Sequence, residues 1–158
     1  MLKELGINVD MDAGRAETCL RKCNIAFLFA PNFHPSMMFV APIRKQLGFR
    51  TVFNLLGPLC NPAKVKFQVL GVYDKALLPK IAEVLRLLGS ERALVVASET
   101  DEISASSETL AAEISNGAIR DYVINPQEFG FSSFTLGAIK GGDAKENARI
   151  IRDVLDGI

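Results

Sequence analysis

The stretch KFQVLGVYDKALLPKIAEVLRLLGSERALVVAS, residues 66–98, holds three segments with three patterns. Lys66 to Tyr73 is a short, mainly apolar run and reads as a strand. Leu77 to Leu88 is an amphipathic helix, with Leu77, Leu78, Ile81, Leu85 and Leu88 on one face and Gly89 as its stop. Arg92 to Ser98 (RALVVAS) is a second, buried strand. Strand, helix and strand in succession point to an α/β fold.

The flanks extend this pattern. Asp12 to Lys22 reads as a short helix and Ile25 to Ala30 (IAFLFA) as a buried strand. His34-Pro35 opens a helix running to about Leu47 and stopped by Gly48. Pro42 lies inside it and predicts a kink or break. RTVFNLLGPLCNP, residues 50–62, is apolar in its first half, then interrupted at Gly57-Pro58 and again at Asn61-Pro62. Further on, Ala111 to Ser115 and Ala118 to Ile124 flank Asn116-Gly117, the signal of a type I′ hairpin. Asp143 to Leu155 is a terminal helix, capped by Asp143, with Glu146 completing a capping-box pattern and Gly157 ending it. The opening MLKELGINVD reads as the end of a helix followed by an extended exit. There is no internal repeat, low-complexity tract or clear linker. The expectation is a mainly parallel sheet with helices on its faces plus an antiparallel hairpin.

Composition narrows the function. A chain of 158 residues with 49% hydrophobic content suits one packed domain. Eighteen basic residues balance eighteen acidic ones, which argues against a basic nucleic-acid footprint. No apolar run approaches the roughly 18 residues of a membrane span, and the first residues lack a signal-peptide core. An odd number of cysteines, three, is expected of reduced thiols in a cytoplasm. Cys19 and Cys23 lie one helical turn apart, but a zinc site needs more ligands and His34 is the only histidine.

Three clusters carry possible chemistry. His34 with Arg44, in APIRKQLG, combines a residue at a helix start with a cation able to grip a carboxylate by two parallel hydrogen bonds. The plainer reading is a helix end and a solvated face shared with Lys45. Glu99, Asp101 and Glu102, in ASETDEIS, follow a strand at the end where open α/β sheets place ligands. Adjacent carboxylates there suit Mg²⁺, or form an acidic surface loop. Lys140-Gly-Gly-Asp143 reads as two glycines entering a capped helix, since no GxGxxG or Walker pattern is present.

FLFAPNFHPSMMFVAPIRKQLGFRTVFNLLGPLCNPA, residues 27–63, resembles the signature stretch of the anthranilate phosphoribosyltransferases. The resemblance continues through the 68–98 region, TDEIS, NGAIRDYVINPQEFGF and GGDAKENARIIRDVL, and covers essentially the whole chain. It implies transfer of phosphoribose from phosphoribosyl diphosphate to the amine of anthranilate, with Mg²⁺, in tryptophan biosynthesis. It implies that Arg44 holds the anthranilate carboxylate, that His34 lines the same site, and that Gly57 and Pro58 form a turn against the ring. Asp101 and Glu102 would coordinate Mg²⁺. The family's helical domain, glycine-rich diphosphate-binding loop and Lys-His-Gly-Asn segment precede the matching region. Residues 1–158 are therefore expected to be the C-terminal part of the α/β domain, inactive alone, with an N-terminal half as partner and a homodimer as the full-length state.

Two departures are visible. The loop before Asp101 is about two residues shorter than the family's usual one, and Met38 stands where a lysine is common. Two other classes fit the residues less well. One is a pyrimidine-nucleoside phosphorylase relative, whose match to Asn54–Pro62 is poor. The other is a non-catalytic scaffold or assembly domain.

Overall fold

The computed structural model describes residues 1–49, 51–132 and 134–158, and for Met38, Ala41 and Arg44 the backbone alone. The described residues form two compact units, Val52–Ala138 and Met1–Thr51 with Ile139–Ile158.

The central unit holds helix α4 (Phe53–Leu59) and a sheet crossed by helix α5 (Leu78–Leu87). Four strands, β1 (Phe67–Gly71), β2 (Arg92–Ala97), β3 (Thr109–Ser115) and β4 (Ala118–Ile124), pair in chain order. Only β1 and β2 run parallel, with Leu70 opposite Val95. The sheet is therefore mixed, not mainly parallel: β2–β3 and β3–β4 are both antiparallel. The parallel connection is made by α5 (Leu78–Leu87), which follows a 3₁₀ turn at Lys75–Leu77. Alternation along the strands sends Leu70, Val72, Ala93, Val95, Ala97, Ala112 and Ile114 to one face. There they meet Leu78, Ile81, Ala82 and Leu85 of α5. Leu88 lies outside this stripe and is 61% exposed, because the helix has already ended: Gly89 takes φ 81° and turns the chain toward β2. The hairpin turn is as expected, with Asn116 at φ 51° and Gly117 at φ 78° joining Ser115 to Ala118.

Helix α4 spans Phe53–Leu59 and includes both Gly57 and Pro58. These two residues do not break the chain; the helix ends at Cys60. A proline six residues into a seven-residue helix removes one terminal hydrogen bond, a small loss beside the packing of Leu55 and Leu59 on the core. The real exit is at Asn61, whose side chain accepts from the Ala63 amide at 3.0 Å while Lys64 adopts φ 49°.

The other unit gathers α1 (Ala13–Cys23), α2 (Ala30–Phe33), α3 (Met37–Leu47) and α6 (Ala144–Asp156). Asp12 caps α1 through the Arg15 amide at 2.8 Å. Asp143 caps α6 through the Lys145 and Glu146 amides, both at 2.9 Å, and Gly157 closes it at φ 77°. Helix α6 packs on the 3₁₀ turn at Leu2–Leu5, which Gly6 ends at φ 82°. Two expectations fail here. Residues 25–29 form neither helix nor strand and pair with no strand among the described residues, and Ile25 is 73% exposed. An apolar run becomes a buried strand only where a neighbour supplies a ladder and cover; here the Phe27 and Phe29 rings stack on one another, 6.3 Å apart. His34 closes α2 instead of opening the next helix, and α3 continues through Pro42 without ending.

Leu85 is 1% exposed at the centre of the core. Leu85→Ala is expected to lower unfolding free energy by about 2–5 kcal/mol. Leu88→Ala, on the same helix but outside the stripe, is expected to change it by less than about 0.5 kcal/mol. Urea unfolding of both variants checks the pair, and equal losses would contradict this placement of the core.

Candidate functional site

Chemistry at the carboxyl end of a parallel strand depends on the loop that leaves it. Here that loop, residues 98–108, begins as β2 ends. Ser98 Oγ lies 2.9 Å from the carbonyl oxygens of both Thr100 and Glu102 and accepts from the Thr100 amide at 3.1 Å. The loop therefore turns tightly over its own first residue. Its far side is tied by Ser104, which is buried. The Ser104 amide donates to Thr109 Oγ1 at 2.9 Å, and Ser104 Oγ accepts from the amides of Ser106 and Ser107 at 3.0 and 3.1 Å.

The three carboxylates divide by role. Glu99 Oε1 accepts from Ser104 Oγ at 2.7 Å and from Ser106 Oγ. Hydroxyl donation, from Ser106 foremost, holds the Glu99 carboxyl below the ordinary glutamate range, against a smaller opposing push from desolvation. Glu99 thus serves the loop's own architecture. Asp101 and Glu102 are exposed, and among the described residues their carboxylates make no hydrogen bond or ion pair. Their backbone is tied on both sides. The Glu102 carbonyl faces Ser98, and the Asp101 carbonyl lies against Gly71 at the end of β1.

This donor set fits Mg²⁺. Mg²⁺ takes one or two protein carboxylates and completes its shell with waters and substrate phosphates, so it needs oxygens not already engaged by the protein. Among the described residues no three His, Cys, Asp or Glu side chains gather to enclose a metal unaided. Glu99, bonded to two hydroxyls, does not present a free carboxylate.

The other candidates fall in different places. Gly57 and Pro58 share the central unit with the acidic pair but not its end. Pro58 lines a cavity of about 310 Å³ with Lys66, Ser90 and Leu85. Lys66 and Ser90 stand just before β1 and β2, so this cavity opens at the amino ends of the strands that Asp101 and Glu102 follow at the carboxyl end. Gly57 is exposed, and a Cβ there would meet nothing within 4 Å. His34 belongs to the other unit; it is half-buried, with its amide on the Ala30 carbonyl at 2.9 Å. Arg44 lies on α3 of that same unit, and its side chain, like that of Met38, falls outside the described residues.

Reading the residues singly missed the division of labour among the acids. The available signal was the serine density around them, Ser98, Ser104, Ser106 and Ser107, since hydroxyls that close enough engage the nearest carboxylate. Gly71 also carried a signal: a glycine within a strand often marks a close backbone approach.

A mixed sheet crossed by one helix, with an acidic loop at the carboxyl end of its parallel pair, is an α/β domain. The chain belongs to the glycosyl transferase family, whose a/b domain model matches residues 1–158. It is similar to the anthranilate phosphoribosyltransferase of Alkaliphilus metalliredigens, 45% identical over 159 residues that take in 99% of this chain and 47% of that protein. The enzyme of the same name from Clostridium kluyveri is 48% identical, with 99% and 48% covered. Among solved structures, anthranilate phosphoribosyltransferase from Thermus thermophilus superposes with a TM-score of 0.89 at 42% identity, over 99% of this chain and 46% of that one. The Saccharomyces cerevisiae enzyme in complex with PRPP and Mg gives 0.86 at 33% identity, over 96% and 43%. The chain spans about half the length of the curated relatives it matches. No helix among the described residues is long and apolar enough to cross a membrane.

The depressed Glu99 carboxyl has a thermodynamic consequence. An acid whose folded pKa is lowered contributes stability above its unfolded value, roughly 4.3. That contribution is lost as pH falls through the folded value. Glu99→Gln is therefore expected to flatten the acid limb of the stability profile. Urea midpoints measured on either side of the glutamate range check this, and parallel profiles for variant and wild type would contradict it.

Proposed function

We propose that this chain is the C-terminal part of the α/β domain of an anthranilate phosphoribosyltransferase, moving phosphoribose from phosphoribosyl diphosphate to the amine of anthranilate. The observation that carries this is the similarity over the whole chain, in sequence and in structure together, to enzymes of that name. One of those structures holds PRPP and Mg, and another, from Saccharomyces cerevisiae, holds 4-fluoroanthranilate.

In this reading Asp101 and Glu102 would hold Mg²⁺, which would supply positive charge for the departing diphosphate. The chain's own part is placement. The tied 98–108 loop keeps two carboxylates exposed and without a partner among the described residues. Arg44, on α3, holds the acceptor's carboxylate, and His34 lines the same acceptor site. For Gly57 and Pro58, which lie in the last turn of α4 and not in a loop, the role of facing the anthranilate ring rests on the resemblance. The transition state is a cationic ribosyl group, so most of the acceleration comes from holding amine and leaving group in line. No nucleophile on the chain is required. The whole enzyme works as a homodimer in the cytoplasm, with residues 1–158 completed by an N-terminal half that carries the diphosphate-binding loop.

The test is kinetic and uses the whole enzyme that contains this chain. It is expected to consume anthranilate in the presence of phosphoribosyl diphosphate and Mg²⁺, followed by the loss of anthranilate fluorescence. Arg44→Ala removes a charge-assisted hydrogen bond of roughly 1.5–3 kcal/mol. Its kcat/KM for anthranilate should fall about tenfold to a few hundredfold, with phosphoribosyl diphosphate binding unchanged. Arg44→Lys should recover only part, because an ammonium cannot reproduce the planar fork. Phosphorolysis of thymidine by the wild-type enzyme, or an Arg44→Ala variant with wild-type anthranilate kinetics, would overturn the corresponding assignment.

A further inference from the structure

The acidic pair is held by residues that belong to neither carboxylate. Gly71 is the last residue of β1, the strand beside the one that delivers the loop. A Cβ built on it would overlap the Asp101 carbonyl oxygen and stand 2.6 Å from the Asp101 carbonyl carbon. Both are backbone atoms, so no side chain can swing aside. Gly71 is not in the left-handed region, so what matters here is space, not conformational freedom. The absence of a side chain lets the loop fold back across the end of β1. Ser98 adds a second tie, with Oγ 2.9 Å from the carbonyl oxygens of both Glu102 and Thr100. The two contacts grip consecutive carbonyls, those of Asp101 and Glu102.

We propose that Gly71 and Ser98 are positioning residues for a divalent cation, setting the backbone from which Asp101 and Glu102 reach it. The inference rests on the reading of that pair as the Mg²⁺ ligands. Neither residue touches the cation. Gly71 acts by leaving room for one carbonyl and Ser98 by hydrogen-bonding the next. A metal site built from two carboxylates on a short loop has few other constraints, so its affinity follows the loop's backbone. Substitution at either position moves the ligands without removing them.

Mn²⁺ binding, read by electron paramagnetic resonance in the presence of phosphoribosyl diphosphate, tests this on the whole enzyme. Asp101→Asn establishes whether the pair binds metal at all; unchanged Mn²⁺ affinity there would overturn the underlying reading and the inference with it. Given a loss in that variant, Gly71→Ala and Ser98→Ala are expected to weaken Mn²⁺ about ten- to a hundredfold, the range for residues that orient ligands without being ligands. The KM for anthranilate should stay at its wild-type value, which a general loss of structure would not allow. Should Gly71→Ala fail to fold, Ser98→Ala decides by the same criteria. Wild-type Mn²⁺ affinity in the folded variants, beside a loss in Asp101→Asn, would overturn the inference and leave the assignment of the pair intact.

Discussion

The packing of α5 against the parallel pair β1–β2 is the contact on which the rest of the central unit depends. Leu78, Ile81 and Leu85 cover Leu70, Val72, Val95 and Ala97, and this burial aligns two strands that share no tight turn. Parallel strands cannot be joined by a hairpin, so the helix has to hold the register. Leu70 stands opposite Val95 and Gly71 opposite Val96. That alignment brings Gly71 beside the point where the 98–108 loop emerges. A slip of one residue would put a side chain where the Asp101 carbonyl now lies.

From that point the loop is organised by hydroxyls. Ser98 gathers the first turn, Ser104 the second, and Glu99 is consumed by Ser104 and Ser106. The electrostatic result is an asymmetry among three acids within four residues. One is stabilised as an anion by donors of the chain itself, and two are left with their charge facing solvent. Hydroxyl donors from Ser104 and Ser106 engage the Glu99 carboxylate within the loop itself. The arrangement leaves two carboxylates unengaged by hydrogen bonds among the described residues, the kind of donor set that suits an ion drawing the rest of its shell from water and phosphate.

Much of this was legible in the sequence, and the exceptions share a cause. The Asn116-Gly117 hairpin, the Asp143 cap and the buried face of α5 depend on local backbone preferences or a repeating pattern, and the chain follows them. IAFLFA does not become a strand, because strand formation needs a partner and none is supplied among the described residues. Gly57-Pro58 does not interrupt α4, because the apolar contacts of Leu55 and Leu59 outweigh one lost hydrogen bond at a helix end. Leu88 has the right spacing for the core but falls after the helix stops. The position of the acidic loop followed from the strand before it. The distinction between Glu99 and its neighbours did not, since it depends on which hydroxyls the folded loop brings to hydrogen-bond distance. The Gly57–Pro58 segment and the acidic pair are near in role by resemblance but stand at opposite ends of the parallel strands, a separation that only the topology reveals.

The exposed pair on the tied loop is proposed as the metal site of a phosphoribosyl transfer enzyme. A crystal of the whole enzyme grown with Mn²⁺ and phosphoribosyl diphosphate tests it most directly, through the anomalous signal of the metal. A metal peak is expected at coordination distance from carboxylate oxygens of Asp101 and Glu102, with the remaining positions filled by diphosphate oxygens and waters, and with Glu99 still bonded to Ser104 and Ser106. A metal bound to Glu99, or bound to the diphosphate with no contact to Asp101 or Glu102, would contradict it.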